Sequence, residues 1–292
     1  MCFTARVSRV STDPLPAAWR GLVDDAAIFP PGDAALGDAA AAHVARRSQP
    51  YGDLVGTFVV RDTDLPALTS TPIALSVVLT GGAGQVAGPA DLCRKLHIAL
   101  EGLELALRDL DDLPGNARRV VAAVDAARAD GVLDDHVPVY VELPRVGSPA
   151  GWLAAADVVA EHELRLKFRT GGLDAVAFPA ASTLARWIDA SLDRETPFKC
   201  TAGLHRAVRH TGAGGFEHHG FLNVLVATRL LFDGTPLADV VEVLELRDGT
   251  ALADQARSLD LAGARRWFTS FGSCDVDEPR DDLLALGLLE DS

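Results

Sequence analysis

The sequence contains no run of about 18 apolar residues, so no segment of it reads as a membrane-spanning helix. Its start, MCFTARVSRV, lacks the apolar stretch of a signal peptide, and a cytoplasmic protein is expected. Cysteine is sparse. Cys2, Cys93, Cys200 and Cys274 stand far apart with no Cys-x-x-Cys pair, which indicates neither a structural zinc site nor a disulfide framework. No low-complexity linker divides the 292 residues, so one domain spanning 1–292 is expected. Positive charge is also short. Lys and Arg total 27 against 41 Asp and Glu, and a net charge of −14 would repel a phosphate backbone or an anionic bilayer. Nucleic acid and membrane surfaces are thereby excluded as general partners, and a small ligand is expected. Scarcest of the charged residues is lysine: only Lys95, Lys167 and Lys199 occur beside 24 arginines.

What is present is a globular composition, 48% hydrophobic and 23% charged, able to bury a sizeable core. Eight short β-like runs, at 22–29, 54–60, 73–79, 103–107, 137–143, 164–170, 197–201 and 267–271, alternate with longer Ala- and Leu-rich stretches. Helix candidates lie at 34–47, 117–129, 151–161, 180–194, 221–232 and 281–289. That alternation predicts an α/β fold, a single (β/α)8 TIM-type barrel with an enlarged segment between strands 7 and 8. The crossovers after strands 2 and 3 hold prolines at 64–71 and 88–97, and only brief helices are expected there.

In such a barrel the chemistry sits at the C-terminal ends of the strands. Side chains alternate along a strand, so Lys167 and Arg169 share a face, as do Lys199 and Thr201, and Tyr140 and Glu142. If that face is the interior, two lysines, an arginine and a carboxylate converge. An ammonium beside another cation loses proton affinity, which yields a neutral, nucleophilic lysine suited to Schiff-base formation. The expected roles are Lys167 as nucleophile, Lys199 as the retained cation, and Glu142 as a proton shuttle whose pKa burial raises. The plainer alternative makes the lysines ion-pair partners of Glu104 and Glu142 that fill the barrel or bind a carboxylate or phosphate without catalysis.

Lys167-Phe-Arg-Thr170-Gly171 and Lys199-Cys-Thr-Ala-Gly203 resemble the strand-six and strand-seven lysine motifs of the deoxyribose-phosphate aldolase family, Lys-Thr-Ser-Thr-Gly and Lys-Ala-Ser-Gly-Gly. The resemblance covers about 164–203 and implies a barrel enzyme of the aldolase-like lyase class, with Lys167 as the Schiff-base residue. Phe168 and Arg169 depart from the first motif, and that family's catalytic aspartate has no counterpart motif here. The peptides LVDDAAIFPPG, LKFRTGG, FKCTAGLHRAVRH, HHGFLNVL and SFGSCDVDEP resemble those of an uncharacterised bacterial protein family, a likeness that spans most of the chain and implies no activity.

The remaining polar residues suggest how a substrate is held. Arg169, His205, Arg206 and Arg209, with the Ser270-Phe271-Gly272-Ser273 loop, fall where barrels bind phosphate, after strands 7 and 8. Thr170 and Thr201 flank them, and together these residues are expected to hold a small anionic substrate. His205, His210, His218 and His219, with Asp24, Asp25 and Glu142, could instead ligate Zn²⁺ or Mn²⁺ in a hydrolase or isomerase. Their spacing fits no ligand motif and Arg206 and Arg209 repel a dication, so no metal or other cofactor is expected. Gly82-Ala-Gly84-Gln-Val-Ala87 imitates a dinucleotide fingerprint, but Gly88-Pro89 should interrupt the helix that such a site needs, and a flexible loop is expected.

Overall fold

Strand-period alternation, carried through eight segments, closes on itself. The structure, a computed structural model, describes residues 15–68, 72–145 and 149–290. Seven parallel strands, β1 (Val23–Asp25), β2 (Val55–Arg61), β3 (Ala74–Val78), β4 (Ala99–Ala106), β5 (Val139–Glu142), β6 (Arg165–Arg169) and β7 (Phe198–Thr201), follow one another around a barrel. A two-stranded antiparallel hairpin, β8 (His210–Thr211) and β9 (Glu217–His218), stands apart, and β10 (Phe268–Ser273) closes the barrel between β7 and β1. The expected (β/α)8 architecture is therefore present, and each of the eight β-like runs contains or overlaps one barrel strand.

Helices α1 (Leu36–Arg47), α2 (Ala87–Leu96), α3 (Leu113–Ala129), α4 (Ala150–Glu161) and α5 (Ala181–Asp193) supply the outer ring. The enlarged segment after β7 carries the hairpin, α6 (Phe221–Phe232), α7 (Leu237–Glu245), α8 (Gly249–Ser258) and α9 (Leu261–Ala264), and α10 (Asp277–Ala285) follows β10. Every residue from Phe221 to Thr228 is buried, so α6 is apolar nearly all round and lies between the barrel and the other helices. No helix among the described residues is long and apolar enough to cross a membrane.

The apolar core occupies the shell between strands and helices. Phe168, between Lys167 and Arg169 in sequence, points outward and packs 5.5 Å from Trp187 of α5 and 6.3 Å from Trp152 of α4, ring centre to ring centre. Removing such a side chain costs about 3–5 kcal/mol. The barrel interior is different. Where branched aliphatics usually fill it, this one holds Asp24, Ser76, Glu104, Lys167, Lys199 and Ser270, all buried. Buried charges contribute little net stability against hydrophobic residues of equal volume, and their concentration here marks a site.

Two local features depart from expectation. β1 ends at Asp25, well short of residue 29, because the Asp25 carboxylate accepts the Ala27 N–H at 3.3 Å and turns the chain. Gly82 to Ala87 is not a loose loop: a short 3-10 turn at Ala83–Gln85 leads into α2, whose ten residues include Pro89. Proline is tolerated there because it stands in the first turn, where its missing N–H would have had no partner inside the helix. The crossover after β2 shows only the 3-10 segment Asp62–Ala67 among its described residues, with Pro66 inside it.

Candidate active site at the C-terminal mouth of the barrel

Register brings the two lysines together. Lys167 pairs with Lys199 between β6 and β7, and Glu142 pairs with Lys167 between β5 and β6. Contacts between strands that are not neighbours show that both amines point inward. Lys167 Nζ lies 2.8 Å from Glu104 Oε2 and 3.1 Å from Glu142 Oε2, while Lys199 Nζ donates to Glu104 Oε1 at 2.6 Å and to Asp24 Oδ2 at 2.7 Å. Each carboxylate is held in turn. Ser76 Oγ donates to Glu104, Ser270 Oγ and the Thr57 hydroxyl and N–H donate to Asp24, and Arg169 Nε donates to Glu142 at 2.9 Å. The Lys199 amine also sits 5.2 Å from the centre of the Tyr140 ring, a favourable cation–π separation.

These contacts set the charges. Burial disfavours the Lys199 ammonium, yet Asp24 and Glu104 outweigh it and hold the pKa above the ordinary lysine range. Burial likewise opposes the Glu104 carboxylate, and the two lysines overcome it and hold its pKa far below the carboxylate range. Glu142 was expected to be raised by burial. Lys167 and Arg169 reverse that effect, and its pKa is lowered. In that state the group is ionised and has no proton to donate before it has received one.

Above this floor opens a cavity of about 1670 Å³, lined by Lys167, Lys199, Arg169, Thr201, His205 and Arg206 among others. Thr201 and Gly272 stand opposite each other in register at its wall. Arg169 uses Nε on Glu142, and its terminal nitrogens make no hydrogen bond among the described residues. Arg206 is less available, since its guanidinium forks onto Asp282 of α10 at 2.6–3.1 Å. His205 lies 3.3 Å from Glu278 and 3.7 Å from Cys274 Sγ; burial lowers its pKa and Glu278 opposes the shift.

Three of the expected substrate contacts are placed elsewhere. Thr170 is fully buried and donates to the Ala202 carbonyl at 2.6 Å, which ties the end of β6 to the turn after β7. Ser270 holds Asp24 beneath Lys199 and lines a second cavity, of about 950 Å³, at the opposite end of the barrel. Ser273 donates to the Asp275 carbonyl at 2.6 Å, so its hydroxyl closes a turn. Strand alternation explains the last two, because Ser270 faces inward below the rim and Ser273 follows the inward Gly272. The glycines of the two lysine motifs are needed for close approach: a Cβ on Gly171 would lie 2.9 Å from Gly203 Cα, and Gly203 has φ +82°.

Two of the histidines, His210 and His218, stack with ring centres 5.0 Å apart, but among the described residues the four form no metal-ligand group. His219 is buried, donates Nε2–H to the Pro179 carbonyl at 2.7 Å and faces Arg209 through Nδ1, and burial pulls its pKa down to about 4. His210 and His218 donate Nδ1–H to the carbonyls of Val208 and Gly203. Asp25 faces outward, where it accepts from Arg46 at 3.0 Å and meets His43 at 3.2 Å. Among the described residues no three His, Cys, Asp or Glu side chains are grouped to hold a metal ion, which corrects the metal-ligand set that the sequence suggested.

Sequence reasoning assigned Glu104 only a filling role and overlooked Asp24 as a partner of Lys199. A signal existed in Gly102-Leu-Glu-Leu-Ala106, where one carboxylate interrupts an apolar strand at an inward position. No protein-family model and no curated protein matches this sequence, so the functional reading rests on the geometry of the site.

Proposed function

We propose that this chain is an aldolase-like lyase that acts through a Schiff base on Lys167 and takes a small-molecule substrate with an anionic carbonyl end. The observation that carries this reading is the position of Lys167 Nζ between Glu104 and Glu142 at the cavity floor, beside a Lys199 locked in its charged form. On arrival of a carbonyl, Lys167 passes a proton to Glu142, and the neutral amine adds to the carbonyl carbon. The carbinolamine hydroxyl takes that proton back and leaves as water as the C=N bond forms. The iminium has the charge of the ammonium that it replaces, so the two carboxylates that pair with the ammonium also stabilise the iminium without rearrangement. The iminium then accepts the electron pair of the breaking C–C bond, and Glu142 is suited to receive the proton of the β-hydroxyl. The Nη atoms of Arg169, which make no hydrogen bond among the described residues, serve the anionic group.

The test is borohydride reduction in the presence of keto acids, aldehydes and sugar phosphates, followed by peptide mass mapping. Mass addition at Lys167, absent in Lys167→Arg, is expected, because a guanidinium stays protonated and forms no Schiff base. Labelling that never reaches Lys167 would leave the lysines as an anion-binding pair.

A further inference from the structure

The cavity is larger than the chemistry at Lys167 requires. Its volume of about 1670 Å³ exceeds the roughly 300–1,000 Å³ that encloses a drug-sized ligand. One wall of the excess space is aromatic. Phe178, from the segment after β6, stacks on Phe216 of the hairpin turn with ring centres 5.1 Å apart, lies 4.7 Å from His218, and His218 stacks on His210 at 5.0 Å. All four rings are half-buried and line the cavity. The array hangs over the two lysine-bearing strands, because His218 donates to the carbonyl of Gly203, four residues beyond Lys199, and Gly203 packs on Gly171, four residues beyond Lys167.

Hydrogen bonding fixes what the two imidazoles offer. Each spends Nδ1–H on a backbone carbonyl, and neither Nε2 makes a hydrogen bond among the described residues. In its neutral form each ring therefore presents Nε2 as an acceptor, and burial favours that form for His210. The wall thus combines apolar ring faces with two acceptors and no committed charge of its own. Sugar phosphates and short keto acids have no ring face to match it.

We infer that the substrate carries, besides the carbonyl that Lys167 attacks, a planar aromatic ring with N–H or O–H donors, which extends the Phe178–Phe216 stack and donates to Nε2 of His210 and His218. This rests on the Schiff-base reading for the carbonyl alone, since the ring needs no lysine.

The test titrates the full chain with adenine and with indole, using cyclohexane-1,2-diol as the non-aromatic control, by calorimetry and by NMR of the histidine rings. Saturable binding of adenine or indole that shifts the His210 and His218 signals is expected. Phe178→Leu and Phe216→Leu should each weaken binding by about tenfold, the scale of one base–aromatic stack, while Lys167→Arg should leave it intact. Absence of binding by both ring probes, equal binding of the diol, or binding that leaves the histidine signals unmoved would overturn the inference; so would binding indifferent to both leucine variants. If the leucine variants do not fold, the histidine shifts of the unaltered chain decide. Ring binding without borohydride labelling would remove the lysine mechanism and keep the ring site, and labelling without ring binding would do the reverse.

Discussion

Glu104 divides its carboxylate between two amines, with Oε2 2.8 Å from Lys167 Nζ and Oε1 2.6 Å from Lys199 Nζ. One buried anion thereby bridges the residue proposed to react and the residue that stays charged. Glu104→Gln would leave two buried ammonium groups with one carboxylate fewer. Breaking a buried pair from one side costs about 3–5 kcal/mol, so chemical denaturation should show a loss of that order. A loss near zero would mean that water enters the barrel and screens the lysines.

Acid should weaken the fold through His219 before it reaches the carboxylates. Its folded pKa is depressed to about 4 from an ordinary 6.5, so the unfolded chain binds the proton more tightly. Its stabilising contribution is complete above pH 6.5 and is lost as pH falls through 4, with roughly 3 kcal/mol at stake. Urea midpoints measured from pH 7 to pH 4 should fall more steeply for the natural chain than for His219→Gln. Parallel curves would show that His219 gains its proton without penalty.

A second, lower acid limb should come from Glu104. Its folded pKa lies far below the ordinary 4.5, so its contribution is present above that value and fades as pH falls beneath it. Glu104→Gln should lose this limb while keeping the one from His219, and denaturation curves between pH 5 and pH 2.5 separate the two.

Gly171→Ala is expected to destabilise by about 1–3 kcal/mol, the range for an overpacked contact, because the new methyl would stand 2.9 Å from Gly203 Cα with only backbone to yield. Gly203→Ala adds an unfavourable positive φ to the same contact. Thermal melts report the loss, and reduced borohydride labelling of Lys167 would report the spreading of β6 from β7. Unchanged melts for both would show that the two turns can part.

Arg169→Gln tests the anion contact. It removes the cation that binds Glu142 and whose other nitrogens make no hydrogen bond among the described residues. The concentration of pyruvate needed for half-maximal borohydride labelling of Lys167 should rise about tenfold or more, in keeping with loss of a charge-assisted hydrogen bond worth roughly 1.5–3 kcal/mol. No change would assign the anionic group to another cation of the mouth.

Much of the fold was legible in the chain. Local patterning suffices for it, because apolar residues in runs such as 137–143 and 164–170 alternate with polar ones at the strand period, and Ala- and Leu-rich stretches separate them. That Lys167 shares a face with Arg169, and Lys199 with Thr201, followed from the same alternation; that the lysines face inward is shown by their contacts across the barrel. Curvature and partner choice across the barrel were not legible. Asp24 meets Lys199 across 175 residues and Glu104 meets it across 95, and no local pattern encodes which inward side chains face each other once a sheet closes.

Closure therefore decided the charges. Glu142 on a strand read in isolation is a buried carboxyl with a raised pKa; set beside Lys167 and Arg169 its pKa is lowered instead. The same holds for Ser270 and Ser273, both near the rim in sequence, of which one supports Asp24 and the other closes a turn. The sequence by itself determined the strands, which of their residues share a face, and the scarcity of lysine that singles out Lys167 and Lys199. Only the tertiary structure decided which charges neutralise one another, because electrostatic energy depends on distances and burial that exist only after the barrel has closed.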